Sequence, residues 1–424
     1  MQKDLTPFTS YQKFLIATIA FIQFTVILDF MIMSPLGAAI IRVLNISPKQ
    51  FGMVVSAYAI SAGLSGILAA GFADKFDRKK MLLFFYVGFV LGTLCCGLAP
   101  DFQTLLLARI ITGIFGGVIG SISMSIIADS FSLQMRGRVM GFVQSAFAFS
   151  QVIGLPLGMY LNAQLGWHAP FMLIVAFCVP AGLIMAFKMK PVNEHLKIKS
   201  DKNAFLHLAS TARNPIYLKA FLATILLSVG GFMIMPFATD FLENNVGIRE
   251  VDLTKIYICT GLIGMVTGPL IGRLSDKVGK YRVFVGGSIL GATMVLINTN
   301  LGITPLWEIM ILNTLMFTAI TSRMIPISAL ISAIPEMKDR GAFMSINSSI
   351  QQMSGGLAAI IGGTIIIKGA DKKLIHYNTI GYIMVVTFII SAILMYFVNE
   401  IVRNKISKEK QLQAEKEASV MENV

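Results

Sequence analysis

Long apolar runs recur along the whole chain and are separated by short polar segments. Each run has about 20 residues, the length that a helix needs to cross the ~30 Å hydrocarbon core of a membrane. The alternation typical of a membrane β-barrel is not visible, so helices must satisfy the backbone hydrogen bonds in lipid. The pattern predicts twelve spans, near residues 14–40, 51–70, 81–99, 103–128, 139–163, 169–187, 217–241, 253–272, 282–302, 307–333, 342–367 and 378–399.

The composition excludes a soluble protein. Of the 424 residues, 55% are hydrophobic and 13% are charged, and the mean hydropathy is +0.74, whereas soluble domains carry about 25% charged residues. The first span contains Asp29 and lacks a convincing cleavage site, so we expect it to remain in the mature protein. The cysteines lie inside spans and the histidines lie singly in loops, so no disulfide and no metal site is expected.

The net charge of +13 follows the predicted topology. Most of the 35 lysines and arginines fall in the segments on one side of the spans, including both termini. This positive-inside bias predicts that both termini are cytoplasmic, and it accounts for the charge without a nucleic-acid partner. Trp167 and Trp307 fall at predicted outer ends, where an aromatic belt forms. We therefore expect a multi-pass protein of the plasma membrane, in a bacterium the inner membrane, surrounded by lipid.

Two markers recur at nearly the same interval along the chain. Asp74 and Asp276 are 202 residues apart, and the pairs Arg136-Gly137 and Arg340-Gly341 are 204 residues apart. Two independent markers at one offset predict a duplicated unit of six spans. The predicted organisation is an N-terminal half (1–188), a basic cytoplasmic linker (189–216), a C-terminal half (217–400) and a charged cytoplasmic tail (401–424).

The loops that contain these aspartates resemble the signature loop of the major facilitator superfamily, G-x-x-x-D-[RK]-x-G-[RK]-[RK]. Residues 272–280 match it nearly completely, whereas residues 70–80 have Ala70 and Asp77 where glycines are usual. The fourth and fifth spans also carry similar motifs, Leu105-x-x-x-Arg109-x-x-Thr112-Gly113 and, in degenerate form, Gly154-Leu-Pro156-Leu-Gly158. The chain is most similar in kind to the twelve-span drug:proton antiporters and the arabinose-efflux-permease-like proteins. The resemblance implies an all-α fold of twelve transmembrane helices in two pseudo-symmetric halves.

The signature loops are candidate gates. Asp74 lies where span two ends and Arg78 follows at the start of span three, so the loop can hold two helix ends together. The resemblance adds Asp129, at the cytoplasmic end of span four, as a partner, and it assigns the same role to Asp276 and Lys280 in the second half. These charges would form a network in one conformation and lose it in the other. The alternative is that the basic residues only set the topology.

Small residues mark the candidate interface between the halves. Gly154 and Gly158 flank Pro156 in span five, and Gly264 and Gly268 repeat the same spacing in span eight. Small residues let helix backbones approach closely in lipid. The resemblance places these two spans together at the interface, where the glycines would form a sliding surface. Ordinary static packing is the alternative.

Asp29 and Arg109 are the candidate proton-coupling pair. Ionisable groups within spans are costly and are functional candidates by default. Asp29 lies roughly 22 Å from the cytoplasmic start of span one, and Arg109 lies roughly 9 Å below the outer start of span four, at 1.5 Å per residue. In a ~30 Å core these depths nearly coincide. Burial favours the protonated acid and the arginine favours the carboxylate, so a change in that balance would move one proton. A structural bridge is the alternative.

Other polar residues within spans are candidates for the substrate cavity. Arg323 lies in span ten, where it would contact an anionic substrate or a neighbouring carbonyl, or would snorkel to the membrane surface. Gln144 and Gln151 share a face of span five, and Asn347 and Gln351 share a face of span eleven. These side chains either line the cavity or form hydrogen bonds between helices.

The predicted function is secondary active transport of a small organic solute by alternating access, with proton-coupled efflux favoured over import of a sugar, lipid or other metabolite. No G-x-x-x-x-G-K-[ST] loop is present, which disfavours an ATP-driven pump. A membrane enzyme would need clustered catalytic groups within the spans, and a channel would not need two repeated halves. No cofactor and no catalytic residue is expected, and we expect the monomer to be functional.

Overall fold

The computed structural model describes residues 8–72, 76–131, 133–193, 196, 204–336 and 339–422. Helices make up almost all of this part of the chain. The helices of the N-terminal half are α1 (Ser10–Ile32), α2 (Gly37–Val43), α3 (Pro48–Phe72), α4 (Arg78–Leu98), α5 (Phe102–Ser130), α6 (Leu133–Phe149), α7 (Leu155–Leu165) and α8 (Ala169–Lys188). A short helix α9 (Ala204–Ala212) lies between the halves in the sequence.

The C-terminal half contains α10 (Pro215–Phe232), α11 (Ala238–Phe241), α12 (Glu250–Val278), α13 (Lys280–Thr299), α14 (Leu306–Ala333), α15 (Arg340–Ile365) and α16 (Tyr377–Glu422). An antiparallel pair of short strands, β1 (Ile367–Lys368) and β2 (Leu374–Ile375), lies between α15 and α16, with Ile367 opposite Ile375. The helix α16 continues through the predicted tail.

Ten segments of the described chain are long and apolar enough to cross a membrane. The other two predicted spans are the interrupted pair α6–α7 and the helix α15, which carries several serines and glutamines. The helix α15 packs along α3, so it takes the place of an eleventh span despite its polar face. The predicted all-α membrane fold is confirmed.

The two halves pack by the same scheme. In the N-terminal half α1 contacts α6 and α8, α5 contacts α3 and α4, and α4 contacts α8. The equivalent pairs are present in the C-terminal half, where α10 contacts α15 and α16, α14 contacts α12 and α13, and α13 contacts α16. The halves meet each other through two further equivalent pairs, α3 with α15 and α7 with α12. The repeat seen in the sequence is therefore a repeat of the packing.

Several predicted spans are interrupted near the end that the predicted topology places outside. The helix α1 ends just before Pro35 and resumes as α2, and α10 ends just before a 3-10 turn that contains Pro236. Pro156 follows a π turn at Ser150–Gly154 that separates α6 from α7. Proline has no backbone N–H and cannot complete the helical hydrogen bonds, which explains the break at these positions. By contrast, α12 and α13 join through the single residue Gly279 at φ 106°, a conformation that favours glycine.

Candidate functional site

Asp29 of α1 and Arg109 of α5 form an ion pair in the interior of the N-terminal half. Arg109 Nη1 lies 2.8 Å from Asp29 Oδ2, and the two residues are 0% and 1% exposed. Thr93 of α4 donates a hydrogen bond to the other carboxylate oxygen at 3.1 Å. The guanidinium also lies over the ring of Tyr58 of α3, 4.4 Å from its centroid. Four helices of one half therefore converge on the predicted pair.

A glycine allows the helices to close around this pair. A Cβ on Gly113 of α5 would overlap the backbone of Tyr58 and the side chain of Ser61, both on α3. Any side chain at this position would push α3 away from α5. Gly113 therefore lets Tyr58 reach Arg109.

The stability of the Asp29–Arg109 pair depends on the charge of both partners. An ion pair removed from water is stable only while both partners remain, and removal of one partner costs about 3–5 kcal/mol because the other charge is left buried. Protonation of Asp29 has the same consequence, since it leaves Arg109 charged beside a neutral acid. The Arg109 Nε already lacks a hydrogen-bond partner among the described residues. A proton on Asp29 would therefore favour a conformation in which Arg109 reaches water.

The predicted gating residues of the first half lie close together. Arg78 Nε lies 2.6 Å from Asp129 Oδ2, and this contact joins the start of α4 to the end of α5. Asp77 caps α4 by accepting a hydrogen bond from the Lys80 N–H. Lys79 donates to the Ala186 carbonyl at the end of α8. Asp74, the other predicted member of this network, lies outside the described residues.

The second copy differs. Lys280 and Asp276 form a contact of 3.4 Å between neighbouring turns, and the Asp276 side chain is 73% exposed. Exposed ion pairs contribute little free energy. The described contact therefore links α12 to the start of α13 without reaching a third helix, so the two loops are not equivalent in this conformation.

We expect Asp129→Asn to slow transport while leaving substrate affinity near the wild-type value. The substitution weakens an ion pair between two helix ends at the predicted cytoplasmic side, which lies far from the Asp29–Arg109 pair. Turnover and equilibrium binding in the same proteoliposome preparation test this. Asp276→Asn is the matched control and should have the smaller effect. Wild-type turnover for Asp129→Asn would remove the gating role.

The predicted interface glycines require a correction. A Cβ on Gly154 or Gly158 would meet Leu28 or Ile32 of α1, and a Cβ on Gly264 would meet Phe317 of α14, all within one half. A Cβ on Gly268 would lie in open space, and Pro156 is buried at the start of α7. The spacing of Gly154, Gly158 and Gly264 correctly indicated close helix packing, but it did not indicate which helix approaches. A small residue permits close approach by any neighbouring helix, so the sequence cannot identify that helix.

Other glycines make the close contacts between the halves. Gly261 of α12 faces the backbone of Gln151 and Val152, so spans five and eight do meet, one turn away from the predicted position. Gly52 of α3 faces the Ala359 carbonyl of α15, and Gly363 of α15 faces Pro48. The α3–α15 pair is thus a second close seam, which the sequence interpretation did not include.

The candidate glutamines and the asparagine lie on α6, on the π turn that follows it and on α15. Asn347 accepts a hydrogen bond from Thr224 of α10 at 2.6 Å, within one half. Gln351 is half-buried on the same helix, and Gln151 is half-buried in the π turn beside α12. The backbone of Gln144 lies in α6, and its side chain is outside the described part. A role of these residues in substrate binding stays a prediction.

Arg323 is buried inside the C-terminal half. Its guanidinium lies 3.5 Å from the centroid of the Phe388 ring, and Nη2 donates to Ser391 Oγ at 3.0 Å. The centroid of the Phe284 ring lies 5.5 Å from the guanidinium. These partners belong to α13 and α16, not to the opposite half. The position favours cation–π packing over the predicted contact with substrate.

A charged cluster at the predicted outer face was missed by the sequence interpretation. Arg42 of α2 contacts Glu250 of α12 at 2.7 Å and Glu243 at 3.5 Å, and Asn162 of α7 donates to Glu250 at 2.8 Å. Each contact joins the N-terminal half to the C-terminal half. The separation of Arg42 and Glu243, 201 residues, nearly equals the repeat offset. Opposite charges at equivalent positions of the two repeats were therefore an available signal.

Hydrogen bonds from side chains to backbone carbonyls close the same region. Ser34 Oγ donates to the Met235 carbonyl, and Thr239 Oγ1 donates to the Ser34 carbonyl at 3.1 Å. These residues lie in or beside the two proline-containing breaks. The halves are therefore in direct contact where α1 and α10 are interrupted.

Comparisons with known proteins agree with this architecture. The family model described as Major Facilitator Superfamily matches residues 19–228 and 220–422. The uncharacterized MFS-type transporter YceJ of Bacillus subtilis (strain 168) is 28% identical over 272 residues, covering 63% of this chain and 68% of the relative. Multidrug resistance protein 2 of the same organism is 24% identical over 271 residues, covering 62% and 68%. The crystal structure of a D-xylose-proton symporter superposes with a TM-score of 0.73 at 16% identity, covering 89% of this chain and 97% of the symporter.

Proposed function

Because the chain belongs to the Major Facilitator Superfamily, and is thus a secondary transporter and not an enzyme, we propose that it exports a small organic solute in exchange for protons. The similarity to a multidrug resistance protein supports export of an amphiphilic solute. The similarity to bacterial transporters supports a location in the cell membrane. The positive-inside bias supports cytoplasmic termini.

The buried Asp29–Arg109 pair is the observation that carries the proposal of proton coupling. It is the one ion pair of the described residues in which both side chains are almost completely buried. The carboxylate can lose its charge by taking a proton, whereas the guanidinium stays charged at any physiological pH. Asp29 can therefore change its charge, whereas Arg109 keeps a constant charge and is stabilised only while Asp29 is ionised.

The coupling follows from the cost of an unpaired buried charge. With Asp29 ionised, the pair holds α1 and α5 together. With Asp29 protonated, Arg109 is left buried without its counter-charge, and a rearrangement that hydrates Arg109 becomes favourable. Proton binding and release would thus select between two arrangements of the halves, which is the requirement for a coupled transporter.

A transport screen in proteoliposomes tests the proposal. Vesicles loaded with members of a drug and metabolite library are given a pH gradient of either direction, and solute movement and internal pH are followed together. The expected result is that at least one solute moves against its own gradient, opposite to the proton flux. Movement in the same direction as protons would identify an importer instead. Solute movement that is independent of the pH gradient would contradict proton coupling.

A further inference from the structure

The outer charged cluster has an unequal number of cations and carboxylates. It consists of Arg42, Asn162, Asp240, Glu243, Glu250 and Lys368, which we call the outer seam cluster. Lys368 of β1 lies 3.4 Å from Asp240 Oδ1, and Asn244 donates to the same oxygen at 2.5 Å. Two cations therefore face three carboxylates, and the cluster carries one excess negative charge if all three acids are ionised.

The excess charge lies in a poorly hydrated place. The side chains of Asp240 and Glu243 are 1% and 11% exposed, and Glu250 is 29% exposed. Like charges that share a buried site cannot all stay ionised without a large cost. The charged groups that act on Glu243 are Arg42 of α2, Glu250 of α12, Asp240 of α11 and Lys368 of β1. Two of these four groups, Glu250 and Asp240, carry the same charge as an ionised Glu243 and repel it.

Glu243 is the acid with the weakest support for its charge. Glu250 forms a short ion pair with Arg42 and accepts a hydrogen bond from Asn162. Asp240 forms an ion pair with Lys368 and accepts a hydrogen bond from Asn244. Among the described residues, Glu243 has only the 3.5 Å contact with Arg42, which is already paired with Glu250. The hydrogen bond to Glu250 raises the pKa of Arg42, so the arginine keeps its charge. The proton that neutralises the cluster is therefore most stable on Glu243.

Two buried oxygens in the cluster point to the same conclusion. Asp240 Oδ2 and Asn162 Oδ1 have no hydrogen-bond partner among the described residues, and Asp240 and Asn162 are 0% and 5% exposed. A buried acceptor without a donor costs about 1–3 kcal/mol. An additional proton in the cluster supplies a donor and removes the excess charge at the same time.

We propose that the outer seam cluster is a second proton-binding site, separate from Asp29, which holds one proton on Glu243 while the halves are in contact at the outer side. Arg42 and Asn162 belong to one half and the three carboxylates belong to the other. Opening the outer side therefore separates the cluster and brings Glu243 into water, where it releases the proton. The closed arrangement binds the proton more tightly, so acid favours closure.

This site changes the conformational equilibrium without adding to the transported charge. A proton taken up from one side on closing returns to that side on opening. The proposal rests on contact between the halves and does not require Asp29 to be the coupling acid. If Asp29 is not the coupling acid, the proposal for Glu243 still stands, and the reverse also holds. Variants at the two acids distinguish the two proposals.

Distance measurements between spin labels test the second site. Labels are placed at Leu165→Cys and Ile303→Cys, two strongly exposed outer positions in opposite halves, after replacement of the native cysteines. A proton bound only in the closed state changes the closed-to-open ratio by up to about tenfold per pH unit. We expect the population with the short distance to increase several-fold when the pH is lowered from about 8 to about 6.

Three variants decide the outcome. Glu243→Gln fixes the neutral form, so the short distance should dominate at both pH values. Glu308→Gln, at another outer acid, should keep the wild-type response. Asp29→Asn removes the contribution of the other site to the conformational equilibrium, but this variant should still respond to pH through Glu243. A wild-type protein without a pH response, or a response that survives in Glu243→Gln and disappears in Asp29→Asn, would overturn the proposal.

Discussion

Replacement of Asp29 by asparagine should abolish transport driven by a pH gradient. Asparagine keeps a carbonyl oxygen that can accept a hydrogen bond from Arg109, and Tyr58 still covers the guanidinium. The variant should therefore still fold, with a lower stability because the guanidinium is unpaired, and its affinity for substrate should remain close to wild type. The variant cannot take up a proton at this position, so uphill movement of solute should fall to background while exchange of solute for solute continues.

The measurement is solute flux in proteoliposomes with an imposed pH gradient, together with a dye that reports internal pH. Asp101→Asn is the matched control, because within the described residues Asp101 serves as the cap of α5, and asparagine caps a helix equally well. Asp29→Glu keeps the acid but moves it, so partial coupling is expected. If Asp29→Asn moves solute uphill at the wild-type rate with matching proton flux, the coupling acid lies elsewhere.

The second large effect concerns stability. Arg109→Gln leaves the Asp29 carboxylate buried without its counter-charge, which should lower the free energy of unfolding by about 3–5 kcal/mol near neutral pH. The double variant Asp29→Asn with Arg109→Gln contains two neutral amides and should recover most of this loss. It should not recover proton coupling, since no titratable group remains in the pair.

The pH dependence distinguishes the two single variants. In Arg109→Gln the unpaired carboxylate can take a proton, so the stability loss should shrink as the pH falls. In Asp29→Asn neither member of the pair titrates, so the stability of this variant should carry no pH dependence from this site. Thermal unfolding of the purified variants across a pH series measures both. Arg403→Gln is the control, because its ion pair with Glu400 is exposed and should contribute little. A double variant whose stability loss equals or exceeds the sum of the two single losses would show that the pair has no mutual stabilisation.

The matching depths of Asp29 and Arg109 along their helices were anticipated from the sequence. The lengths of the apolar runs predicted the membrane spans, and the offset between Asp74 and Asp276 predicted the two duplicated halves. The contact between Asp29 and Arg109 could be anticipated because helices rise by 1.5 Å per residue, so residue number converts directly into depth. Two charged residues at one depth in a medium without water are strongly driven to meet.

Orientation around each helix axis and contact between distant segments were decided by the tertiary structure. Arg323 has a suitable depth for a cavity residue, but the rotation of α14 turns it towards Phe388 and Ser391. Gly154 and Gly158 have the spacing of a close contact, but they face α1 and not the opposite half. The outer seam cluster depends on the proline breaks that bring the ends of α1 and α10 together. Apolar residues can face either lipid or protein, so hydrophobicity in a membrane does not indicate which side of a helix is buried, and packing alone selects it.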